Sequence, residues 1–232
     1  MRRLLAIALL LASASCKPED APAEAIAKAA DKVVDPVEAV PLARGKYAPQ
    51  DECGEVEGAR AFRDRLVDAV RARNADALVT LAAADIKLGF DGTDGAGELR
   101  RQLEDPSGTL WNELRKLTAL GCAANGEGGV TIPWIAGQDL GDADPFESML
   151  VTGEQVPVRE TPDLAGRQVG SVSWDLVAVP DFQLDKPFQQ VALGDKSKGY
   201  IETGKLRSLV DYRLSASSRN GKWSITSLVA GD

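Results

Sequence analysis

The sequence predicts an α+β fold, with a small N-terminal helical lobe followed by a β-rich part. Residues 54–120 repeat apolar side chains at three- and four-residue spacing, the period of amphipathic helices. From residue 149 the pattern changes to short strand-like runs separated by turn residues, and Asn220-Gly221 suits a type I′ hairpin turn. We therefore expect a helical lobe at 53–145, a β-barrel at 146–208 and an extra hairpin at 209–232, packed on the barrel or on the helical lobe.

The N-terminus carries an export signal. Arg2 and Arg3 precede an apolar run that is too short to cross a bilayer, so residues 1–15 are predicted to be a signal peptide. Cys16 follows a stretch of small residues and is the predicted lipidation site of a bacterial lipoprotein. Cleavage after Ala14 is the alternative, because residues 12–14 match the A-x-A pattern. Lys17 favours the outer over the inner membrane, with the protein facing the periplasm.

Residues 16–52 are rich in Ala, Pro and charged residues, which predicts a disordered tether. The whole chain is acidic, with 35 Asp and Glu against 27 Lys and Arg. This charge argues against nucleic-acid binding and against a polybasic membrane patch. We therefore expect contact with the membrane only through the N-terminal lipid.

The chain has no histidine, which excludes Ser-His-Asp and Cys-His catalysis and the histidine-containing zinc sites of hydrolases. The Asp91-Gly-Thr-Asp-Gly95 loop lacks the spacing of an EF-hand. We expect no catalytic residue, no metal and no cofactor. Catalysis by carboxylates alone stays open, because acidic residues are plentiful.

Three cysteines are present, and an exported protein needs a use for an odd thiol. If Cys16 carries the lipid, Cys53 and Cys122 remain as a pair that the oxidising periplasm would join. Their disulfide would tie the start of the first helix to the end of the last.

Five short motifs follow one another between residues 150 and 206. They are Val156-Pro-Val-Arg159 with Thr161-Pro162, Val169-Gly-Ser-Val172, the run 174–179, Phe188-Gln-Gln-Val191 and Gly199-Tyr-Ile201. In this order they resemble the bacterial SH3-type (Src homology 3) domain. The resemblance implies a small closed barrel of about five strands that serves as a cell-wall-binding or accessory module in envelope proteins. Trp174 and Tyr200 are the candidate ligand contacts on such a barrel, with packing in or over the barrel as the alternative role for both.

Two other runs, Asn74-Ala-Asp-Ala-Leu78 and Gly221-Lys-Trp-Ser-Ile-Thr226, are similar to the opening and final strand of nuclear transport factor 2-like folds. This second similarity implies only an α+β cap beside the barrel.

The leading functional hypothesis is a non-enzymatic envelope lipoprotein whose SH3-type domain binds peptidoglycan or an envelope protein. A periplasmic small-ligand binding or sensor protein is the alternative, with a pocket lined by Trp111, Trp134 and Phe90. A carboxylate-dependent murein hydrolase is the third hypothesis. The sequence leaves the oligomeric state and the identity of the ligand open.

Overall fold

The structure is a computed structural model that describes residues 44–89 and 94–231. The described residues belong to one compact unit, 43–232. The signal peptide, Cys16, most of the predicted tether and Phe90 lie outside the described residues. Within the described ranges, no helix has the length and apolar character needed to cross a bilayer.

Among the described residues of the N-terminal half, four α-helices form, as the apolar periodicity predicts. They are α1 (Ala59–Arg71), α2 (Ala75–Thr80), α3 (Ala96–Leu103) and α4 (Thr109–Thr118). Helix α1 buries Phe62 and Leu66 on one face, and α4 buries Leu114 and Leu117. Asn74 caps α2, because its side chain accepts a hydrogen bond of 3.0 Å from the backbone N–H of Ala77.

The helices pack on a five-stranded sheet rather than forming a lobe of their own. The strands of this first sheet are β1 (Ala82–Lys87), β2 (Ala123–Ala124), β3 (Gly129–Ile132), β11 (Arg213–Arg219) and β12 (Lys222–Val229). Their order is β1-β12-β11-β3-β2, with β1 parallel to β12 and the other pairs antiparallel. The helices and this sheet share one hydrophobic core. Within it the rings of Phe62 and Trp223 stack, with 5.7 Å between their centroids.

The structure therefore does not confirm a separate helical lobe followed by an extra hairpin. The terminal hairpin supplies β11 and β12, which lie between β1 and β3 in the first sheet. Both residues of its turn, Asn220 and Gly221, have positive φ, as a type I′ turn requires. In this central position the hairpin pairs with β1 through β12 and with β3 through β11.

A second sheet of seven strands lies in the chain between β3 and β11. Its strands are β4 (Ser148–Val151), β5 (Val156–Arg159), β6 (Gln168–Val172), β7 (Leu176–Ala178), β8 (Phe188–Ala192), β9 (Lys198–Glu202) and β10 (Leu206–Ser208). Their order is β10-β4-β7-β8-β9-β5-β6. The predicted closed barrel of about five strands is not what forms, because β10 and β6 are opposite edges of the sheet and do not pair. The sheet still encloses its own apolar cluster, which includes Val158, Val191 and Ile201.

The predicted disulfide between Cys53 and Cys122 is confirmed, with 5.7 Å between the two Cα atoms. Both cysteines are completely buried. Backbone hydrogen bonds flank the bridge: Cys122 N–H donates to Gln50 O, and Glu52 N–H donates to Cys122 O, each at 2.8 Å. The bridge thus joins the segment that precedes α1 to the segment between α4 and β2.

Candidate functional site

Tyr200 lies half-buried on the floor of a cleft of about 430 Å³ on the second sheet. Its neighbours on β8 and β5 are Gln190 and Arg159, which stand opposite it in the strand pairing. Because side chains alternate across a strand, Phe188 and Gln190 share this outer face, whereas Gln189 and Val191 point into the sheet interior. The Gln190 side-chain amide donates to the Tyr200 hydroxyl at 3.2 Å. We call this depression the Tyr200 cleft.

Two loops form the walls of the Tyr200 cleft. One is the 160–167 loop, which contributes Pro162 and is held by a two-bond ion pair between Arg167 and Glu160. The other is the 180–187 loop, which contributes Pro180 and three polar residues. The full lining is Pro162, Pro180, Asp181, Gln183, Lys186, Phe188, Gln189, Gln190, Val191, Ala192, Lys198 and Tyr200. Aromatic, proline and amide groups together suit a ligand with both apolar and polar parts.

The charges that line the Tyr200 cleft favour an anionic ligand. Lys186 and Lys198 form no ion pair with any described residue, so both ammonium groups are available. Asp181 is the one acidic residue of the lining, and its carboxylate accepts a hydrogen bond from the Gln183 side chain. The lining therefore carries one net positive charge on a chain whose total charge is −8.

The 180–187 loop is fixed by a buried amide. Gln189 is 2% exposed, and its side chain bonds both the N–H and the C=O of Gln183, at 3.0 and 2.7 Å. The same amide donates to the Thr203 hydroxyl at 2.9 Å. A buried glutamine whose polar groups are all hydrogen-bonded holds a loop in a defined conformation. The wall of the Tyr200 cleft is thus preorganised.

We expect Gln189→Leu to lower the free energy of unfolding by about 2–3 kcal/mol, because it removes the hydrogen bonds that the buried Gln189 amide makes to the backbone of Gln183 and to the Thr203 hydroxyl. Chemical denaturation measures this loss, and limited chymotrypsin digestion should cut after Phe182 more quickly. The neighbouring Gln190→Leu is the matched control. Gln190 is exposed, so its replacement should change stability by less than about 0.5 kcal/mol. Equal losses in both variants would contradict the anchoring role of Gln189.

Trp174 does not line the Tyr200 cleft, so the two predicted ligand residues do not form one site. The Trp174 side chain is half-buried and packs against a cluster of Tyr47, Ile135 and Leu150. The backbone carbonyl of Trp174 accepts a 2.8 Å hydrogen bond from the backbone N–H of Tyr47. This setting supports the packing role for Trp174.

Trp111 and Trp134, which the small-ligand hypothesis placed around a pocket, are each 6% exposed. Their indole N–H groups are occupied, with Trp111 donating to Leu103 O at 2.8 Å and Trp134 to the Glu52 carboxylate at 2.6 Å. Phe90 lies outside the described residues. Both tryptophans thus act as parts of the packed structure.

One grouping of potential metal ligands, Asp51 with Cys53 and Cys122, occurs among the described residues. The two sulfur atoms are joined in the disulfide, and the Asp51 carboxylate pairs with Arg63 at 3.1 Å. These atoms are engaged in holding the fold.

Sequence reasoning did not find the residues that surround Tyr200, namely Phe188, Gln190, Lys186 and Lys198. The strand alternation over residues 188–192 could have placed Phe188 and Gln190 on one face. The pairing of Gln190 with Tyr200 is a matter of register, which the sequence pattern does not specify.

No protein-family model and no curated protein matches this chain. Three solved chains match it. One of them, a variant of the NTF2-like designed protein Rd1NTF2_05, is 11% identical and has a TM-score of 0.31, with 75% of this chain and 96% of that chain covered. Similarity of this degree indicates neither the fold nor the function of this chain.

Proposed function

We propose that this chain is an exported, non-enzymatic envelope lipoprotein that binds the peptidoglycan wall through the Tyr200 cleft. In this proposal residues 146–208 are a divergent, open member of the SH3-type domains. Cys16 carries the lipid that anchors the chain in the outer membrane. The single observation that supports wall binding is that Tyr200 lines a preformed cleft together with two lysines that form no ion pair with a described residue.

The chemistry of peptidoglycan suits this cleft. Sugar rings and short peptides bind by apolar contact with aromatic faces, which Tyr200 and Phe188 offer. The carboxylates of the stem peptides would meet Lys186 and Lys198, which have no anionic partner within the described chain. The Gln190 amide, which is exposed, adds a polar group that can orient the ligand.

Co-sedimentation with isolated sacculi tests this proposal. The protein used is the chain from Lys17, because the residues removed lie outside the described structure. We expect saturable binding at moderate salt, and a loss of at least tenfold in affinity for Tyr200→Ala, since stacking on the ring is removed. Wild-type protein that stays in the supernatant would overturn the proposal.

Two control variants separate ligand contact from folding. Tyr200→Phe keeps the ring and loses only the hydroxyl that accepts from Gln190, so it should retain most of the affinity. Trp174→Ala removes an aromatic residue outside the cleft, and the correctly folded fraction should still bind. Binding that falls equally in Trp174→Ala and Tyr200→Ala, with both proteins folded, would contradict the cleft as the binding site.

A further inference from the structure

The two lysines of the Tyr200 cleft come from opposite ends of strand β8. Lys198 lies opposite Ala192, the last residue of β8, in the strand pairing. Lys186 comes from the 180–187 loop, which leads into the first residue of the same strand. The five residues of β8 span about 13 Å, and Tyr200 pairs with the middle one. Each end of the strand therefore contributes one cation to the cleft.

Hydrogen bonds fix the backbone that carries each lysine. The Lys186 N–H donates to Gln183 O at 3.0 Å, and the Thr203 hydroxyl donates to Lys186 O at 2.5 Å. Lys198 belongs to the antiparallel pairing of β8 with β9. The residue opposite it, Ala192, has only a methyl group, which leaves space beside the lysine side chain. Both ammonium groups can thus meet a ligand without a rearrangement of the backbone.

The acidic groups around the cleft do not cancel these cations. Asp181 is the acidic residue of the lining, and its carboxylate already accepts a hydrogen bond from the Gln183 side chain. Three further acidic residues neighbour lining residues in the chain or across the sheet but do not line the cleft, namely Asp185, Asp195 and Glu202. A ligand in the cleft therefore meets two cations and a single carboxylate that is already engaged.

In the bacterial wall, free carboxylates belong to the peptides and not to the sugars. The lactyl carboxyl group of each muramic acid is consumed in the amide bond to its stem peptide, and N-acetylglucosamine is neutral. The stem peptide carries free carboxylates on different residues, several bonds apart. A ligand with separated carboxylates and a peptide backbone matches two separate cations with the Gln190 amide and the Tyr200 ring in the same cleft.

We propose that the Tyr200 cleft recognises the stem peptide of the wall rather than its glycan, with separate free carboxylates of the peptide paired to Lys186 and Lys198. This inference rests on the proposed function and names the part of the wall that is bound. Amidation of those carboxylates removes their charge and leaves both ammonium groups without an anionic partner. The protein thus distinguishes a wall with free stem-peptide carboxylates from an amidated one.

Isothermal titration calorimetry of the chain from Lys17 tests the inference with three soluble probes. They are the tripeptide L-alanyl-γ-D-glutamyl-meso-diaminopimelate, the same peptide with every carboxylate amidated, and the neutral sugar tetra-N-acetylchitotetraose. We expect saturable binding of the free tripeptide and an affinity lower by about tenfold or more for the amidated one, because charge-assisted hydrogen bonds are lost. The sugar should give no heat of binding. A free tripeptide that does not bind, equal affinities for the two peptides, or tighter binding of the sugar would each overturn the inference.

Variants that remove one charge connect the tripeptide to the two lysines. Lys186→Gln and Lys198→Gln should each weaken binding of the free tripeptide about three- to tenfold. Lys222→Gln is the matched control, because it makes the same charge change at an exposed residue of β12 in the first sheet. Salt screens so distant a charge, so its affinity should stay within about twofold of the wild type. Equal losses in all three variants would mean that only the net charge of the protein acts, and would overturn the pairing with Lys186 and Lys198.

Co-sedimentation and calorimetry together separate a failure of this inference from a failure of wall binding. Sacculi that retain the wild-type protein, combined with no preference for the free over the amidated tripeptide, would overturn the inference and leave wall binding in place. A wild-type protein that binds neither sacculi nor tripeptide would overturn both. Sacculi that retain wild-type and Lys222→Gln protein but release Lys186→Gln/Lys198→Gln would support both.

Discussion

Reduction of the Cys53–Cys122 disulfide is expected to lower the free energy of unfolding by about 4 kcal/mol. The bridge spans 69 positions, and closing a loop of this length restricts the unfolded chain by roughly that amount. A loss of this size is a large share of the 5–15 kcal/mol that typically stabilises a domain. The measurement is equilibrium unfolding in urea of the oxidised and the reduced wild-type protein.

The reduced wild-type protein is preferable to a Cys-to-Ala variant, because both cysteines are completely buried and their replacement would also remove packed atoms. Because the bridge is inaccessible in the folded state, reduction should require unfolding first. The Cys53→Ala/Cys122→Ala variant, which contains neither sulfur, serves as the control for direct effects of the reductant. Coincident unfolding midpoints for oxidised and reduced protein would contradict the prediction.

The local structure of this chain could be predicted well from sequence, since it depends on short-range patterns. Strand β5 coincides with the Val156-Pro-Val-Arg159 motif, and β11 and β12 form the hairpin that was expected within residues 209–232. Asn220-Gly221 forms the predicted turn because both residues tolerate positive φ. Asn74 caps α2 because its short side chain reaches the backbone N–H three residues on.

The arrangement of these elements could not be predicted in the same way. The parallel pairing of β1 with β12 joins Ala82 to Ile225, which are more than half the chain apart. A local pattern contains no information on such a partner. The resemblance to a closed barrel failed for a related reason, because the edges β6 and β10 each look like ordinary strands in sequence.

The candidate site shows the same division. Tyr200 was found from its motif, but its partners come from a neighbouring strand and from a loop. Gln189 was unremarkable in sequence, and only its burial and its hydrogen bonds show that it anchors the loop that forms one wall of the Tyr200 cleft. The wall of the Tyr200 cleft therefore depends on one buried side chain that sequence reasoning did not single out.

A single methyl group at Gly121 should be nearly as costly as the loss of the disulfide. Gly121 has φ of 78°, in the left-handed region that disfavours residues with a Cβ atom. A Cβ there would collide with Gln50 O and lie 2.8 Å from Gln50 N. Because Gln50 O accepts the N–H of Cys122, moving Gln50 would also disturb the backbone beside the disulfide. We expect Gly121→Ala to lower the free energy of unfolding by about 2–4 kcal/mol.

Gly128 separates the two causes of that loss. Its φ of 77° matches that of Gly121, but no heavy atom lies within 4 Å of the position where its Cβ would be. Gly128→Ala should therefore lower the free energy of unfolding only by the cost of placing alanine at positive φ, about 1 kcal/mol. The difference between the two variants in urea unfolding measures the close approach of residues 50 and 121. Equal losses of unfolding free energy in the two variants would contradict this prediction. They would mean that Gln50 shifts at no cost to accommodate the added methyl group, so that the close approach beside Cys122 does not contribute to the stability of the fold.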